Sequence, residues 1–260
     1  MKHAVGRSPS SSSRILLGFT AILCFSLAPQ ALAQQSVPTP PDQGTPTGRQ
    51  RGGASRGDCV DYQDLTALVP VVDGVVWSQT QSPTPEFFFY IPEALTADIP
   101  LELVVQDSQD NYVFRQQFLV DAPSGILTVP TATAATAGSE LTPGEAYSWT
   151  FSIYCDAARP SASTSVFGTI QRVADADLGG VESEGDTGYA QASQRTPDMQ
   201  LELARQYATE GLWHEALGLA LSLHQAEPTS AEYLETLESL FQQAGLTDIS
   251  PTVVVNEVPE

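Results

Sequence analysis

From residue 59 onward, short apolar runs alternate with turn residues, and one stretch shows the pattern at its clearest. In Ala146-Tyr-Ser-Trp-Thr-Phe-Ser-Ile-Tyr-Cys155, the residues Tyr147, Trp149, Phe151, Ile153 and Cys155 fall on one face and Ser148, Thr150, Ser152 and Tyr154 on the other. A period of two is that of a half-buried β-strand. Comparable runs occupy Leu65 to Val69, Val75 to Trp77, Phe87 to Ile91, Leu101 to Val105, Tyr112 to Val120, Ile126 to Val129 and Val166 to Val173. Short strands at this spacing, each bounded by Pro, Gly, Asp or Ser, predict an all-β sandwich over residues 59–175.

The segment Leu141-Thr-Pro-Gly-Glu-Ala-Tyr147 leads into the aromatic strand as a turn. A tyrosine that folds back onto such a turn makes a tyrosine corner between Leu141 and Tyr147, a device of immunoglobulin-like and fibronectin type III-like sandwiches. Asp107-Ser-Gln-Asp-Asn111 separates two strands. Its closely spaced oxygens allow a calcium reading, but Asp and Asn are also what a tight hairpin needs, and no glutamate completes an EF-hand. The hairpin reading is preferred.

Past residue 196 the period changes to that of helices. Leu203-Ala204, Tyr207, Gly211, Trp213, Ala216 and Pro228 fall at the spacings of a single tetratricopeptide-like repeat, with Gly211 at the inter-helix turn and small Ala204 and Ala216 where two helices press together. Ala220 and Leu223 depart from the repeat's preferences for an aromatic residue and an alanine. Thr196 with Pro197 opens the first helix, Thr229 with Glu232 forms a capping box for a third, and Gly245 ends it. The prediction is a three-helix unit over 197–246, with helices at Pro197 to Glu210, Leu212 to Ala226 and Ser230 to Ala244. One repeat cannot bury both of its apolar faces. Either the sandwich and third helix cover it, the favoured expectation, or an exposed face receives a partner. The tail 247–260 carries the triplet Val253-Val254-Val255, which suits a sheet edge, although a free terminus is the commoner outcome.

The first 33 residues read differently. Lys2, Arg7 and Arg14 precede the apolar run Ile15 to Leu27, and Ala31-Leu-Ala33 stands before Gln34. This is the composition of a secretory signal peptide with Ala31 and Ala33 at the cleavage site. The apolar run falls short of the roughly 20 residues a spanning helix needs, so no membrane insertion is expected. Residues 34–58, rich in Pro, Gln, Thr, Gly and Arg, read as a disordered linker, and 176–196, with Glu182, Glu184 and Asp186 among glycines, as an acidic one.

An exported chain changes the meaning of its cysteines. Beyond the leader only Cys59 and Cys155 remain, an even pair that predicts one disulfide in a periplasmic or extracellular protein. Without the leader the formal charge is eight arginines against 31 acids, or −23, and no lysine is left. Such acidity argues against nucleic acid, anionic lipid and acidic partners, and the absence of lysine removes Schiff-base chemistry and phosphate-loop lysines.

Candidate chemistry is sparse. His214 and His224, ten residues apart on one predicted helix, do not share a face, and His214 is expected on the solvent side. No G-x-S-x-G elbow or H-E-x-x-H pair occurs, and nothing calls for a catalytic residue, cofactor or metal. Two function classes follow. The first is a non-enzymatic interaction module or adapter for an unidentified envelope or extracellular protein, using the loop that contains Asp156, Arg159 and Ser161 together with the helical unit. The second is a carbohydrate-binding module or glycan hydrolase, with Trp77, Trp149 and the Phe87 to Tyr90 aromatics as stacking candidates, although Trp149 falls on its strand's core face. No signature sets an oligomeric state.

The order of motifs adds a family. Cys59 followed by Leu65-Thr-Ala-Leu-Val-Pro70, then Pro85-Glu-Phe-Phe-Phe-Tyr-Ile-Pro92, the Tyr147 to Cys155 strand and Gly168-Thr-Ile-Gln-Arg-Val173 resembles a secreted cyanobacterial family known as domain of unknown function 928. The resemblance runs from about Gly52 to Leu246. It implies an exported protein and brings no catalytic residues.

Overall fold

Two β-sheets face each other across an aromatic core, and three helices close one open side. The computed structural model describes residues 40, 48–53, 59–132, 140–156, 158–159, 161–173 and 195–251, together with the backbone of 255–257. The expected signal peptide with Ala31 and Ala33, most of the 34–58 linker and the acidic stretch up to residue 194 lie outside these residues.

The apolar runs become β1 (Thr66–Ala67), β2 (Val71–Val72), β3 (Val75–Thr80), β4 (Glu86–Ile91), β5 (Leu101–Gln106), β6 (Tyr112–Phe118), β7 (Gly125–Pro130), β8 (Ala146–Tyr154) and β9 (Ser163–Arg172). A short β10 (Val255–Glu257) follows the helices. One sheet has the order β1-β4-β7-β10 and the other β2-β3-β9-β8-β5-β6. The run β6-β5-β8-β9 has the order of the C′-C-F-G strands of an immunoglobulin-like sandwich, and β3 joins it parallel to β9.

The expected alternation of β8 holds: Tyr147, Trp149, Phe151 and Ile153 are buried. Phe89 of β4 stacks on Phe151 at 3.9 Å between ring centroids, and its ring meets Trp149 edge-on at 6.0 Å. These contacts join the two sheets. Gly168 sits opposite Trp149 on β9, where a Cβ would fall 2.7 Å from the Trp149 ring and from the Val76 carbonyl oxygen, so a side chain there would collide with the flanking strands β8 and β3 of its own sheet. The backbone N–H of Thr142 donates to the Tyr147 hydroxyl at 2.8 Å, closing the tyrosine corner, and Leu141 is buried beside it. Cys59 and Cys155 form a disulfide, Cα to Cα 5.4 Å, across 96 residues of sequence. It ties a 3₁₀ turn, Val60–Tyr62, to the end of β8.

Part of the expected linker is built into the sandwich. Arg49 exchanges both backbone hydrogen bonds with Phe167 at 2.7 and 3.0 Å, and the Gln50 carbonyl accepts the Ala67 N–H at 2.7 Å. Ladder pairing uses backbone groups, so a polar composition did not forbid it.

The helices are α1 (Pro197–Glu210), α2 (Trp213–Ala226) and α3 (Ala231–Gln243). Gly211 at φ 78° ends α1 and Gly245 at φ 71° follows α3, as the sequence predicted. The third helix starts differently. Ser230, not Thr229, is its N-cap, no side-chain cap bond forms, and the Ser230 N–H that a capping-box glutamate would take is committed to the Glu227 carbonyl in a preceding turn.

Helix α2 is buried almost all round, from Trp213 through Leu221 and again at Leu223 and His224. It packs on α1, on α3 and on β3 and β4. Leu68, Phe88 and Ile126 of the sandwich share one apolar cluster with Tyr207, Leu217 and Phe241 of the helices. Residues 35–260 accordingly form one compact unit, and the sandwich supplies the cover that a lone repeat lacks. Ala204 and Ala216 are fully buried where α1 meets α2, while Pro228 stands exposed after α2. The tail also joins in: β10 pairs parallel with β7, with Val255 opposite Ile126.

Candidate functional site

Three places in the fold concentrate polar chemistry. The first lies where α2 enters the sandwich. His214 and Glu215, in the first turn of α2, are 3% and 2% exposed and point at the end of β3 and the segment after it. The expectation of a solvent-facing His214 is therefore corrected. Its Nδ1 lies 2.7 Å from the Glu86 carbonyl oxygen, which can only accept, so Nδ1 carries the proton and Nε2 accepts from the Ser78 hydroxyl at 2.8 Å. Sequence spacing hid this pair because 136 residues separate the partners.

Glu215 is held as closely. Its Oε1 accepts from the Thr80 hydroxyl at 2.6 Å, the Gln81 N–H at 2.9 Å and the Ser82 N–H at 3.1 Å, while Oε2 has no hydrogen-bond partner. A cavity of about 20 Å³ adjoins it, lined by Ser82, Thr84, Pro85, Glu86, His214 and Glu215. Burial pushes the Glu215 carboxyl above its usual range, against the lowering by the Thr80 hydroxyl and the backbone donors.

A serine bonded to a neutral histidine is the pairing that nucleophilic catalysis uses. Here Ser78 is 1% exposed and does not line the cavity, so no reacting carbonyl has a place beside its oxygen. The cluster is a polar interlock that fixes α2 on the sandwich. Burial holds His214 down to about 4, against a small rise from its bond to Glu86. A folded pKa below the unfolded value means that the stability from neutral His214 is complete above pH 6.5 and is lost as pH falls toward 4. At about 1.4 kcal/mol per pH unit this amounts to about 3 kcal/mol. Glu215 works in the opposite sense, since its raised pKa strengthens the fold on protonation. Urea unfolding at pH 7 and pH 4 should show His214→Gln with lower stability at pH 7 and with most of the histidine's share of the acid loss removed. An acid loss identical in variant and wild type would reject this assignment.

The second place is a cleft of about 250 Å³ between α1 and α3, lined by Arg205, Ala208, Glu235, Thr236, Ser239, Leu240 and Gln243. Every lining residue is helical, and none belongs to the sandwich. Arg205 reaches across to Glu232 at 3.1 Å.

The third place is the β8–β9 loop that the sequence put forward for recognition. Asp156 pairs with Arg159 at 2.5 Å, and the guanidinium and the Ala158 N–H hold the Asp156 carboxyl below its usual range. Ser161 is exposed beside them. This loop follows the disulfide and is folded on itself by the ion pair and by the Ala162 N–H, which donates to the Arg159 carbonyl at 2.7 Å.

The remaining candidates resolve into structural roles. Asp107 accepts from the Gln109 and Asn111 backbone and from the Asn111 amide, and Asp110 takes φ 63°, which is the hairpin reading of that loop. Of the aromatics named for glycan stacking, Trp77, Trp149, Phe87, Phe88 and Phe89 are at most 2% exposed and form core contacts instead, and Tyr90 is half-buried against the cluster shared with the helices. Among the described residues no group of three or more His, Cys, Asp or Glu is placed to hold a metal, and no helix is long and apolar enough to cross a membrane.

No curated protein and no solved structure matches this chain. The sequence profile of one family matches residues 51–254, from the strap beside β9 to the residue before β10. The sandwich, the interlock and the helices thus all fall within a single family unit, and the chain belongs to the family described as Domain of Unknown Function (DUF928).

Proposed function

We propose that the protein is a non-enzymatic interaction module of the exported compartment, and that the α1–α3 cleft receives a segment of a partner protein. The observation that carries this reading is the division of labour among the helices. The sandwich covers α2, and a cleft of about 250 Å³ lined only by α1 and α3 remains open. Clefts between helices suit an inserted peptide. The lining residues are polar at the rim, Gln243, Ser239 and Glu235, with apolar Ala208 and Leu240 among them. The leader-like first 33 residues and the Cys59–Cys155 disulfide support an oxidising location outside the cytoplasm.

The reading is tested with the full chain carrying a photo-cross-linker at Ser239, in envelope fractions of its native cell. The expected result is one discrete cross-linked protein that disappears when Ala208→Trp fills the cleft and persists when exposed Leu119 is changed to Ala. Equal cross-linking in the filled and open forms would refute the cleft as the docking site.

A further inference from the structure

The outer face of β6, β5, β8 and β9 in the six-stranded sheet carries few carboxylates for so acidic a chain. Its side chains follow from the register: Tyr112, Arg115 and Gln117 on β6, Glu102, Val104 and Gln106 on β5, Ser148, Thr150 and Ser152 on β8, and Ser163, Ser165, Phe167 and Thr169 on β9. On these strand positions Glu102 is the one carboxylate. It is 5% exposed and already bonded, accepting from Arg115 at 2.9 Å and from the Tyr154 hydroxyl at 2.8 Å. Asp107 and Asp110 border the face only at the β5–β6 turn, where Asp107 is occupied by turn hydrogen bonds.

Against this uncharged background stand two exposed aromatic rings, each under an arginine. Phe167 is 38% exposed with the Arg49 guanidinium 5.8 Å from its centroid, and Tyr112 is 59% exposed with Arg115 at 5.1 Å. The register sets Arg115, Val104, Thr150 and Phe167 in one row across the sheet, and Arg49 extends the row because its backbone pairs with Phe167. Five neighbouring backbones at about 4.8 Å span roughly 19 Å. The row is therefore a strip with Arg49 and Phe167 at one end, Arg115 beside the Tyr112 ring at the other, and Val104 and Thr150 between them, on a molecule whose formal charge is −20.

We propose that this strip binds a carboxylate-bearing polysaccharide lying across the strands, with Arg49 and Arg115 meeting its carboxylates and Phe167 and Tyr112 stacking on its rings. The chemistry fits on three independent counts. Aromatic rings with a polar rim pack against the apolar faces of sugars. Guanidinium groups bind carboxylates with paired donors, and those resting on an aromatic ring are oriented before the ligand arrives. The neutral side chains of Ser148, Thr150, Ser165 and Gln117 offer hydrogen bonds to sugar hydroxyls, and the carboxylate beside them, Glu102, is buried and already held by Arg115 and Tyr154. The long-range repulsion expected from net charge is screened within about 8 to 10 Å in physiological salt, so contact at the strip is governed by Arg49 and by Arg115 with its paired Glu102 rather than by the acids elsewhere.

The test is affinity electrophoresis of the full chain through gels containing alginate, with dextran and poly-L-glutamate as comparison polymers. Alginate should retard the wild-type protein. Phe167→Ala and Tyr112→Ala, at exposed positions that leave the melting temperature unchanged, should each weaken binding about tenfold, in line with one stacked cation–aromatic pair. Arg49→Gln should weaken it and reduce its salt dependence. Arg115 is left intact because its loss would strand Glu102. No retardation by alginate, equal retardation in the double variant Phe167→Ala/Tyr112→Ala, equal retardation by dextran, or equal retardation by poly-L-glutamate would each overturn the proposal. The last two would show a neutral glycan or an acidic protein as the occupant.

Discussion

Trp213→Ala should unfold the sandwich and the helices together. Trp213 is 4% exposed, packs in the cluster shared by helices and sandwich, and donates its indole N–H to the Leu68 carbonyl at 2.7 Å. Losing a buried tryptophan costs about 3 to 5 kcal/mol, and leaving the Leu68 carbonyl without a donor adds about 1 to 3 kcal/mol. Because Leu68 and Phe88 belong to β-sheet segments and Leu217 and Phe241 to helices, the cavity weakens both at once. In urea titrations the helical signal at 222 nm and the near-ultraviolet signal of the core aromatics should shift by the same amount and stay superimposed. Two separated transitions, with only the helical one displaced, would show that the helices unfold as an independent unit. The same argument forecasts the fate of a chain cut after Val173. It would expose Leu68, Phe88 and Ile126 and should be recovered as aggregate.

The double change Cys59→Ser/Cys155→Ser should have an effect of similar size by a different route. The disulfide closes 96 residues of sequence, for which the chain-entropy account gives about 4 to 5 kcal/mol, carried by the unfolded state. The native contacts around Cys59 and Ile153 should persist, so the variant's folded spectrum should match wild type while its urea midpoint falls and its slope rises. Wild type treated with a thiol reductant should reproduce the variant. A midpoint that neither treatment moves would show that the bond adds nothing to stability.

How far the sequence carries the reader depends on which force makes the element. Strands β5, β8 and β9 were legible because each buries mainly one face, which a period of two records, whereas β4 and β7, covered on both faces, were legible as continuous apolar runs. The run at Val75 was read as ending at Trp77, yet β3 continues to Thr80, since Ser78 and Thr80 are buried against His214 and Glu215 rather than against carbon. That strand end and the start of α2 each look polar alone and are buried only because they meet. One signal was available: a helix apolar along nearly its whole length that opens with two ionisable residues needs polar partners across the interface. The sheet-face residues carried a similar clue. Phe167 stands at an outward position among Ser163, Ser165 and Thr169, where solvent would ordinarily select another polar residue. The strap at 48–53 gave no such signal, because its contribution lies in backbone hydrogen bonds.

That strap also bears on how the chain acquires its shape. Gln50 donates to the Val69 carbonyl at 2.7 Å and to the Ala244 carbonyl at 3.0 Å, and Arg51 holds Asp248 with two hydrogen bonds, so residues nearly 200 positions apart are fastened to one another. With β10 laid along β7, the sandwich receives its last strand from the final residues of the chain. Folding of this kind has a high contact order and is slow, since distant segments must meet before their bonds can form. A chain that stops before Ala244 has one bare sheet edge and an unfastened strap. Closure of the sandwich thus waits on residues 244–257, which must return to β7 and to the 48–53 strap before either is held in place.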